Sequence, residues 1–353
     1  MTSSLTVLIG ATGFTGGLIA EQLAKRRVEA LLLGRDEARV KELGQRLGLP
    51  WRRIDGLGEV AGLLRRGDLL LHAAGPYRST CTPALQAALE AGAHYLDLSG
   101  EVDTIAEVAG RNAEARAAGS MLLPAAGFEV AASDCLLAAL CRGAGQVARV
   151  RVAVSGLDAI SRGSALSSLA ELGRLPRAVR GRRLVTRPAG PAPDFDFGGG
   201  PTPTLPVSWP DLATAPWTSG APQVDTYYAA TAAFRALERI NEIARMAPAG
   251  WLEPLAAATA RLVPSPAPDR IASNRGVACV EIDTLAGQTL RGRVETPEVY
   301  AFSAEVVARI AERVAGGDVE VGFQTPGRLY GPGLVRSAPG VTWSLSAPIP
   351  TPA

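Results

Sequence analysis

Lysine is nearly missing from this chain. Of its 36 basic residues only Lys25 and Lys41 are lysines. Neither stands four residues after a tyrosine, so a Tyr-x-x-x-Lys proton relay cannot be built, and Schiff-base chemistry on a lysine is disfavoured for the same reason. Cysteine is sparse as well. Cys81, Cys135, Cys141 and Cys279 show no C-x-x-C spacing and have no histidine partner nearby. No zinc or other metal site is expected from them, and a reducing, cytoplasmic setting fits. No apolar run approaches the roughly 20 residues of a membrane helix. The opening "MTSSLTVLIG" lacks the basic stretch and long apolar core of a signal peptide. A net charge of +2 without a basic face or tail offers nucleic acid no purchase.

What is present is a two-domain length, 353 residues, with 47% apolar and 20% charged residues, ordinary for a globular protein. Strand and helix signals alternate through the first third. "LTVLIG", "EALLLG", "WRRID", "DLLLHAAG", "HYLDL" and "SMLLPAAG" read as strands. "TGGLIAEQLAKR", "RDEARVKELGQRLG", "EVAGLLRR", "CTPALQAALEAG" and "TIAEVAGRNAEARAAG" read as the intervening helices, with Asp36 a natural N-cap and Gly48 a stop. Repeated βαβ units predict an α/β fold, a Rossmann-type doubly wound parallel sheet. After Gly127 the rhythm changes. "SDCLLAALCRG" is helical, "ARVRVAVSGL" alternates like a half-buried strand, and "GVACVEIDTLAGQTLRGRVETP" reads as a hairpin followed by a long helix, "EVYAFSAEVVARIAERVAGG". Residues 188–222 carry nine prolines but also Phe195, Phe197, Trp209 and Trp217. That aromatic content predicts an ordered excursion, at a substrate pocket or subunit contact, over a disordered linker. The expected division is 1–128, rejoined by part of 129–145 and 318–353, and a second α+β domain with a mixed sheet over 146–317.

The stretch "LIGATGFTGG" places three glycines, Gly10, Gly13 and Gly16, between a strand and a helix. A helix N-terminus has unpaired N–H groups and a partial positive charge that attract a pyrophosphate. Side chains at those three positions would obstruct the turn, the phosphate or helix–strand packing. At the end of the second strand Gly34 leaves room and Arg35 offers a guanidinium to a 2′-phosphate, which favours NADP(H) over NAD. Asp36 competes as a ribose ligand. "AAGPY" ends the fourth strand, where Gly75 and Pro76 would border the inner half of a dinucleotide. His72 reads as a packed core histidine. His94, Tyr95, Asp97, Ser99 and Glu101 crowd the end of the next strand, as a site or as a capped turn with Ser99 as N-cap.

In sum, "GATGFTGG", "LLLGR", "AAGPY", "AGAHYLDLSGE", "LLPAAGFEVAASD", "SRGSALSSLAEL", "DFGGGPTPTLPVSWPDLATAPWTSGAP" and "TPGRLYGPGLV" resemble the saccharopine dehydrogenase-like oxidoreductases, closest to the bacterial branch that includes trans-acting enoyl reductases. The resemblance implies an NADP-binding Rossmann domain and a second domain forming the substrate pocket and often a dimer contact. By position it puts Gly10, Ala11, Thr12, Gly13, Phe14 and Thr15 at the pyrophosphate, Arg35 at the adenosine phosphate, and Ala74, Gly75 and Pro76 at the inner nucleotide. One loop departs from the family, reading "GFEVAASD", with Glu129 where Asp is usual and no proline. Members reduce C=N bonds or are assigned to C=C reduction in lipid or polyketide assembly.

Hydride transfer also needs a proton source. The candidates are Tyr77, His94, Tyr95, Asp97 and Glu101, with Tyr227 and Tyr228 from the second domain. Tyr77 and Glu101 are the expected donor or substrate anchor, because each follows a cofactor-edge motif; a packing tyrosine and a helix-capping acid are the competing roles. The expected function is therefore an NADPH-dependent reductase of a C=C or C=N bond, in specialised or lipid metabolism and working as a homodimer on a small-molecule substrate. The alternative is an NADP(H)-binding regulatory protein that docks a partner.

Overall fold

The computed structural model describes residues 4–156, 173–188, 190–246, 275–346 and 349–350. The chain divides into two compact units, 1–131 with 300–338, and 132–299 with 339–353. The segment 161–172, which carries "SRGSALSSLAEL", lies outside the described residues.

In the first unit the apolar runs become parallel strands: β1 (Thr6–Ile9), β2 (Ala30–Gly34), β3 (Trp51–Arg53), β4 (Leu69–His72), β5 (His94–Asp97) and β6 (Met121–Leu123). With the strand Gly322–Phe323 beside β6, the order across the sheet is 322–323, β6, β5, β4, β1, β2, β3. All of these pairings are parallel. The chain winds outward from β1 in both directions, so the carboxyl ends of β1 and β4 flank the switch point where such sheets bind ligands. Strands buried on both faces must read as unbroken apolar runs, which is why "TVLI" and "LLLH" are wholly buried.

Helices α1 (Phe14–Lys25), α2 (Glu37–Leu47), α3 (Tyr77–Ala91), α4 (Val102–Gly110) and α5 (Asn112–Ala118) connect these strands. Two expected helices come out differently. "EVAGLLRR" forms only short 3-10 turns at Leu57–Glu59 and Ala61–Leu63, because Gly58 and Gly62 weaken a helix that has just Val60 and Leu64 to bury. The helix expected over "TIAEVAGRNAEARAAG" is interrupted at Arg111, just after Gly110.

The chain divides at other residues than the sequence suggested, and the segment belonging again to the first unit starts at Tyr300, not at 318. The reason is packing along the Val299–Ala315 helix. Tyr300 meets Phe14 edge-on with centroids 5.3 Å apart, and Phe302 meets Phe128 in the same way. Glu305 and Glu312 both pair with Arg26 at the end of α1.

Helix α6 (Phe128–Cys141) carries the chain into the second unit. There β7 (Val147–Ser155), β8 (Arg177–Arg180), β9 (Arg183–Thr186), β10 (Phe195–Asp196), β11 (Pro201–Thr202), β12 (Thr204–Pro206), β13 (Gln223–Ala229), β14 (Gly276–Thr284) and β15 (Gln288–Thr296) follow. All but the β10–β11 pair enter one mixed sheet, nine-stranded among the described residues once Thr342–Leu345 and Ile349–Pro350 are included. Its β7–β13 pair is parallel and the β14–β15 hairpin antiparallel. The proline-rich stretch lies against this sheet, Phe195 being buried among Ala153, Tyr227, Val277 and Cys279. Among the described residues no helix is long and apolar enough to cross a membrane.

Candidate functional site

The glycine loop is shaped by its own backbone. Gly10 adopts φ +80°, and a Cβ there would stand 2.7 Å from the Ala73 carbonyl oxygen. A Cβ on Gly16 would stand 2.0 Å from the Gly10 carbonyl oxygen, a distance no packing adjustment can absorb. The first turn of α1 therefore sits directly on the end of β1. Gly13 is the N-cap and supplies no capping side chain, and the first turn holds no acid. The positive end of a 12-residue helix is left to backbone N–H groups. This cradle fits a diphosphate, because any side chain that fills it would displace the loop.

At the end of β2, a Cβ on Gly34 would come within 3.3 Å of the Thr12 methyl and 3.1 Å of Val40, so strand end and glycine loop approach closely. Asp36 is spent as the N-cap of α2, accepting a hydrogen bond from the Arg39 amide at 3.1 Å. That leaves it poorly placed to serve a ribose. Arg35 is exposed, and beside it the Arg39 guanidinium donates to the Thr12 carbonyl at 2.8 Å. Arg39 was missed in the sequence. Its signal was its place three residues after the cap, which returns its side chain to the glycine loop.

Beyond β4, β5 and β6 lies an acidic corner. Tyr77 opens α3, and its hydroxyl donates to the His72 carbonyl at 3.3 Å. Burial, with Asp97, Glu101 and Glu129 nearby, pushes this phenol well above its ordinary range. Glu101 occupies the N-cap position of α4 without a side-chain capping bond. Glu129 stands in the first turn of α6. Its carboxylate lies over Gly127, whose added Cβ would be 2.8 Å from Glu129 Oε2 and 3.0 Å from Ser303 Oγ. Burial and the Glu101 carboxylate hold Glu129 up at about 7. The sequence had marked Glu129 only as a departure from a family pattern.

Below this corner is a buried polar chain. His72 is fully buried, as expected of a core histidine. Its Nδ1 lies 3.0 Å from the Tyr95 hydroxyl and its Nε2 3.1 Å from the Ala74 carbonyl. Tyr95 reaches Asp97 Oδ2 at 2.8 Å and Cys81 Sγ at 3.4 Å. Asp97 Oδ1 accepts from the Ser99 amide, the Ser99 hydroxyl and the Ala125 amide. Ser99 is thus a partner of Asp97 and not the N-cap. His94 accepts from the Met121 amide, a bond within the sheet. Tyr227 and Tyr228 lie on β13, in the second unit.

Residues 6–123 match the family described as "Saccharopine dehydrogenase NADP binding domain". The matched residues carry the glycine loop and the strand ends described above, and the match supports NADP(H) binding by the first unit. A Mycobacterium tuberculosis protein that bears the name "Putative trans-acting enoyl reductase" is 29% identical over 242 aligned residues, covering 61% of this chain and 56% of that protein. A trans-acting enoyl reductase of Mycobacterium leprae is 33% identical over 141 residues, 36% of this chain and 33% of the relative. The chain thus spans about half the length, or less, of the curated relatives it matches. Apo saccharopine dehydrogenase (L-Glu forming) from Saccharomyces cerevisiae shares the fold across 98% of this chain and 100% of that one, with a TM-score of 0.59 and 12% identity.

Proposed function

We propose that the chain is an NADPH-dependent reductase of a C=C bond conjugated to a carbonyl, with Glu129 as the proton donor. The observation that carries this reading is a carboxyl group held near neutrality at the carboxyl ends of β5 and β6, in the corner that follows the Ala74–Pro76 loop. When bound, the cofactor supplies a hydride. The chain's own residues do the rest. The loop Gly10–Thr15 and the open end of α1 hold the diphosphate, and Gly34, Arg35 and Arg39 receive the 2′-phosphate. Ala74, Gly75 and Pro76 line the inner nucleotide.

Reduction of a conjugated C=C bond adds hydride at one carbon and a proton at the other, and Glu129 provides that proton. A general acid works best when its pKa lies near the operating pH. Tyr77, one of the two donors expected from the sequence, already spends its proton on the His72 carbonyl and is too weak an acid, so it becomes an anchor for the corner. Glu101 is retained in a supporting role, its charge keeping the proton on Glu129. The names of the mycobacterial relatives favour C=C over C=N.

A 2-enoyl thioester of N-acetylcysteamine tests the proposal directly. Wild-type protein should oxidise NADPH with it, and Glu129→Gln should lower kcat about 10²- to 10³-fold while the NADPH Kd stays put. NADPH that binds but is oxidised by neither an enoyl thioester nor a cyclic imine would refute the reductase reading in favour of a regulatory one. Turnover of a cyclic imine alone would refute the C=C assignment.

A further inference from the structure

We infer that His72, Tyr95 and Asp97 share one extra buried proton, and that this relay is the positioning device for the loop Ala73–Pro76. The functional half of this inference rests on the cofactor reading above; the proton count does not.

The count follows from the hydrogen bonds. A tyrosine hydroxyl has one proton and two lone pairs, and Tyr95 makes three contacts, with His72, Asp97 and Cys81. Burial keeps both the Tyr95 phenol and the Cys81 thiol protonated, the thiol being pushed up to about 12. Cys81 can then donate its S–H to Tyr95. Suppose His72 is a neutral ring and Asp97 a bare carboxylate. Tyr95 donates to Asp97, and the single imidazole proton must serve either Tyr95 or the Ala74 carbonyl. The other ring nitrogen is left with its lone pair against an oxygen at 3.0 or 3.1 Å. A buried mismatch of that kind is costly.

One added proton removes the mismatch, in either of two arrangements. In the first, His72 is doubly protonated and donates to both Tyr95 and Ala74, while Tyr95 donates to Asp97. In the second, Asp97 Oδ2 carries the proton and donates to Tyr95, Tyr95 donates to Nδ1, and Nε2–H donates to Ala74. Moving one proton along each of the two links, Asp97–Tyr95 and Tyr95–His72, interconverts them. Burial lowers His72 from its ordinary range, against the pull of Asp97. Both arrangements leave no net charge in the core, and in both His72 Nε2 keeps its hydrogen.

That hydrogen matters because of where it points. The Ala74 carbonyl also accepts from Thr80 Oγ1 at 2.8 Å, so its peptide is held by two donors. Ala73 and Ala74 are the atoms that a Cβ on Gly10 would strike. The relay therefore holds the floor on which the glycine loop rests. His72, Tyr95 and Asp97 touch no reacting atom in this scheme and are positioning residues.

The chain holds two histidines, His72 and His94, so a 15N-histidine spectrum contains two rings, and the one perturbed by Tyr95→Phe is His72. Its Nε2 should be protonated in the wild type. Asp97→Asn mimics the second arrangement, with the amide N–H donating to Tyr95 and the amide oxygen facing the three donors at Oδ1. It should keep the Nε2–H signature and NADPH affinity within about 3-fold, whereas Asp97→Ala and Tyr95→Phe weaken binding about 10-fold or more. An unprotonated Nε2 in the wild type, or an Asp97→Asn variant as impaired as Asp97→Ala, would overturn the inference. If Tyr95→Phe fails to fold, a His94→Gln variant assigns the ring. If wild-type protein binds no NADPH, the cofactor reading fails while the nitrogen spectrum still decides the relay.

Discussion

Single atoms decide whether this loop works. Gly16 is the sharpest case, because a methyl there would overlap the Gly10 carbonyl oxygen. Gly16→Ala should cost about 1–3 kcal/mol of stability as an overpacked contact and abolish measurable NADPH binding, read by denaturation and titration on the same sample. Glu129 gives a second prediction whose sign can be worked out. Its folded value of about 7 lies above the ordinary 4.5, so between those pH values the native state binds more protons than the unfolded one. Stability must fall as pH rises through that window and stay lower above it. Glu129→Gln should remove this fall, leaving the variant with a higher Tm than wild type at pH 8 and no such advantage at pH 4. Activity that depends on the protonated acid should likewise decline above pH 7. A wild-type Tm that does not fall between pH 4.5 and 7 would contradict the assignment. The glycines' steric constraint was legible in the sequence because it is local, a turn between one strand and the next helix. Glu129 was not, because what raises it is first its burial in the folded chain and then a carboxylate 28 residues away, Glu101, that only the folded strand ends bring near.

Among elements, lateral register does what sequence spacing cannot show. His72 stands opposite Asp97 and Leu70 opposite Tyr95 in the β4–β5 pair. The polar chain from Asp97 to Ala74 therefore exists only once those two strands are aligned, and "HYLDLSGE" by itself reads equally as a capped turn. The Val299–Ala315 helix is the opposite extreme: legible as a helix from its period, illegible in its destination. It joins the first unit through Tyr300, Phe302 and the pairing of Glu305 and Glu312 with Arg26, 279 and 286 residues earlier. Glu305 is also bonded by Arg309, so removal of Arg26 leaves it a partner. Arg26→Ala should accordingly cost only about 1 kcal/mol, measured by urea denaturation at low salt and smaller at high salt. A loss several times greater would mean that this pairing, and not the aromatic packing, holds the helix.

For the whole molecule, the alternation of strand and helix made the first unit's fold readable, since each βαβ step is dictated by short connections and apolar runs. The second unit's sheet was readable only in pieces, because β7 pairs with β13 and β14, partners separated from it by long stretches. The central claim is that the first unit grips the phosphorylated dinucleotide through the open end of α1 and the guanidinium groups after β2. Calorimetric titration of the full chain with NADPH and with NADH, repeated on Arg35→Ala and Arg39→Ala, tests it most directly. The account predicts saturable NADPH binding at least about tenfold tighter than NADH, with the gap narrowed in either arginine variant. Equal affinity for the two coenzymes in wild-type protein, or no heat with either, would contradict it.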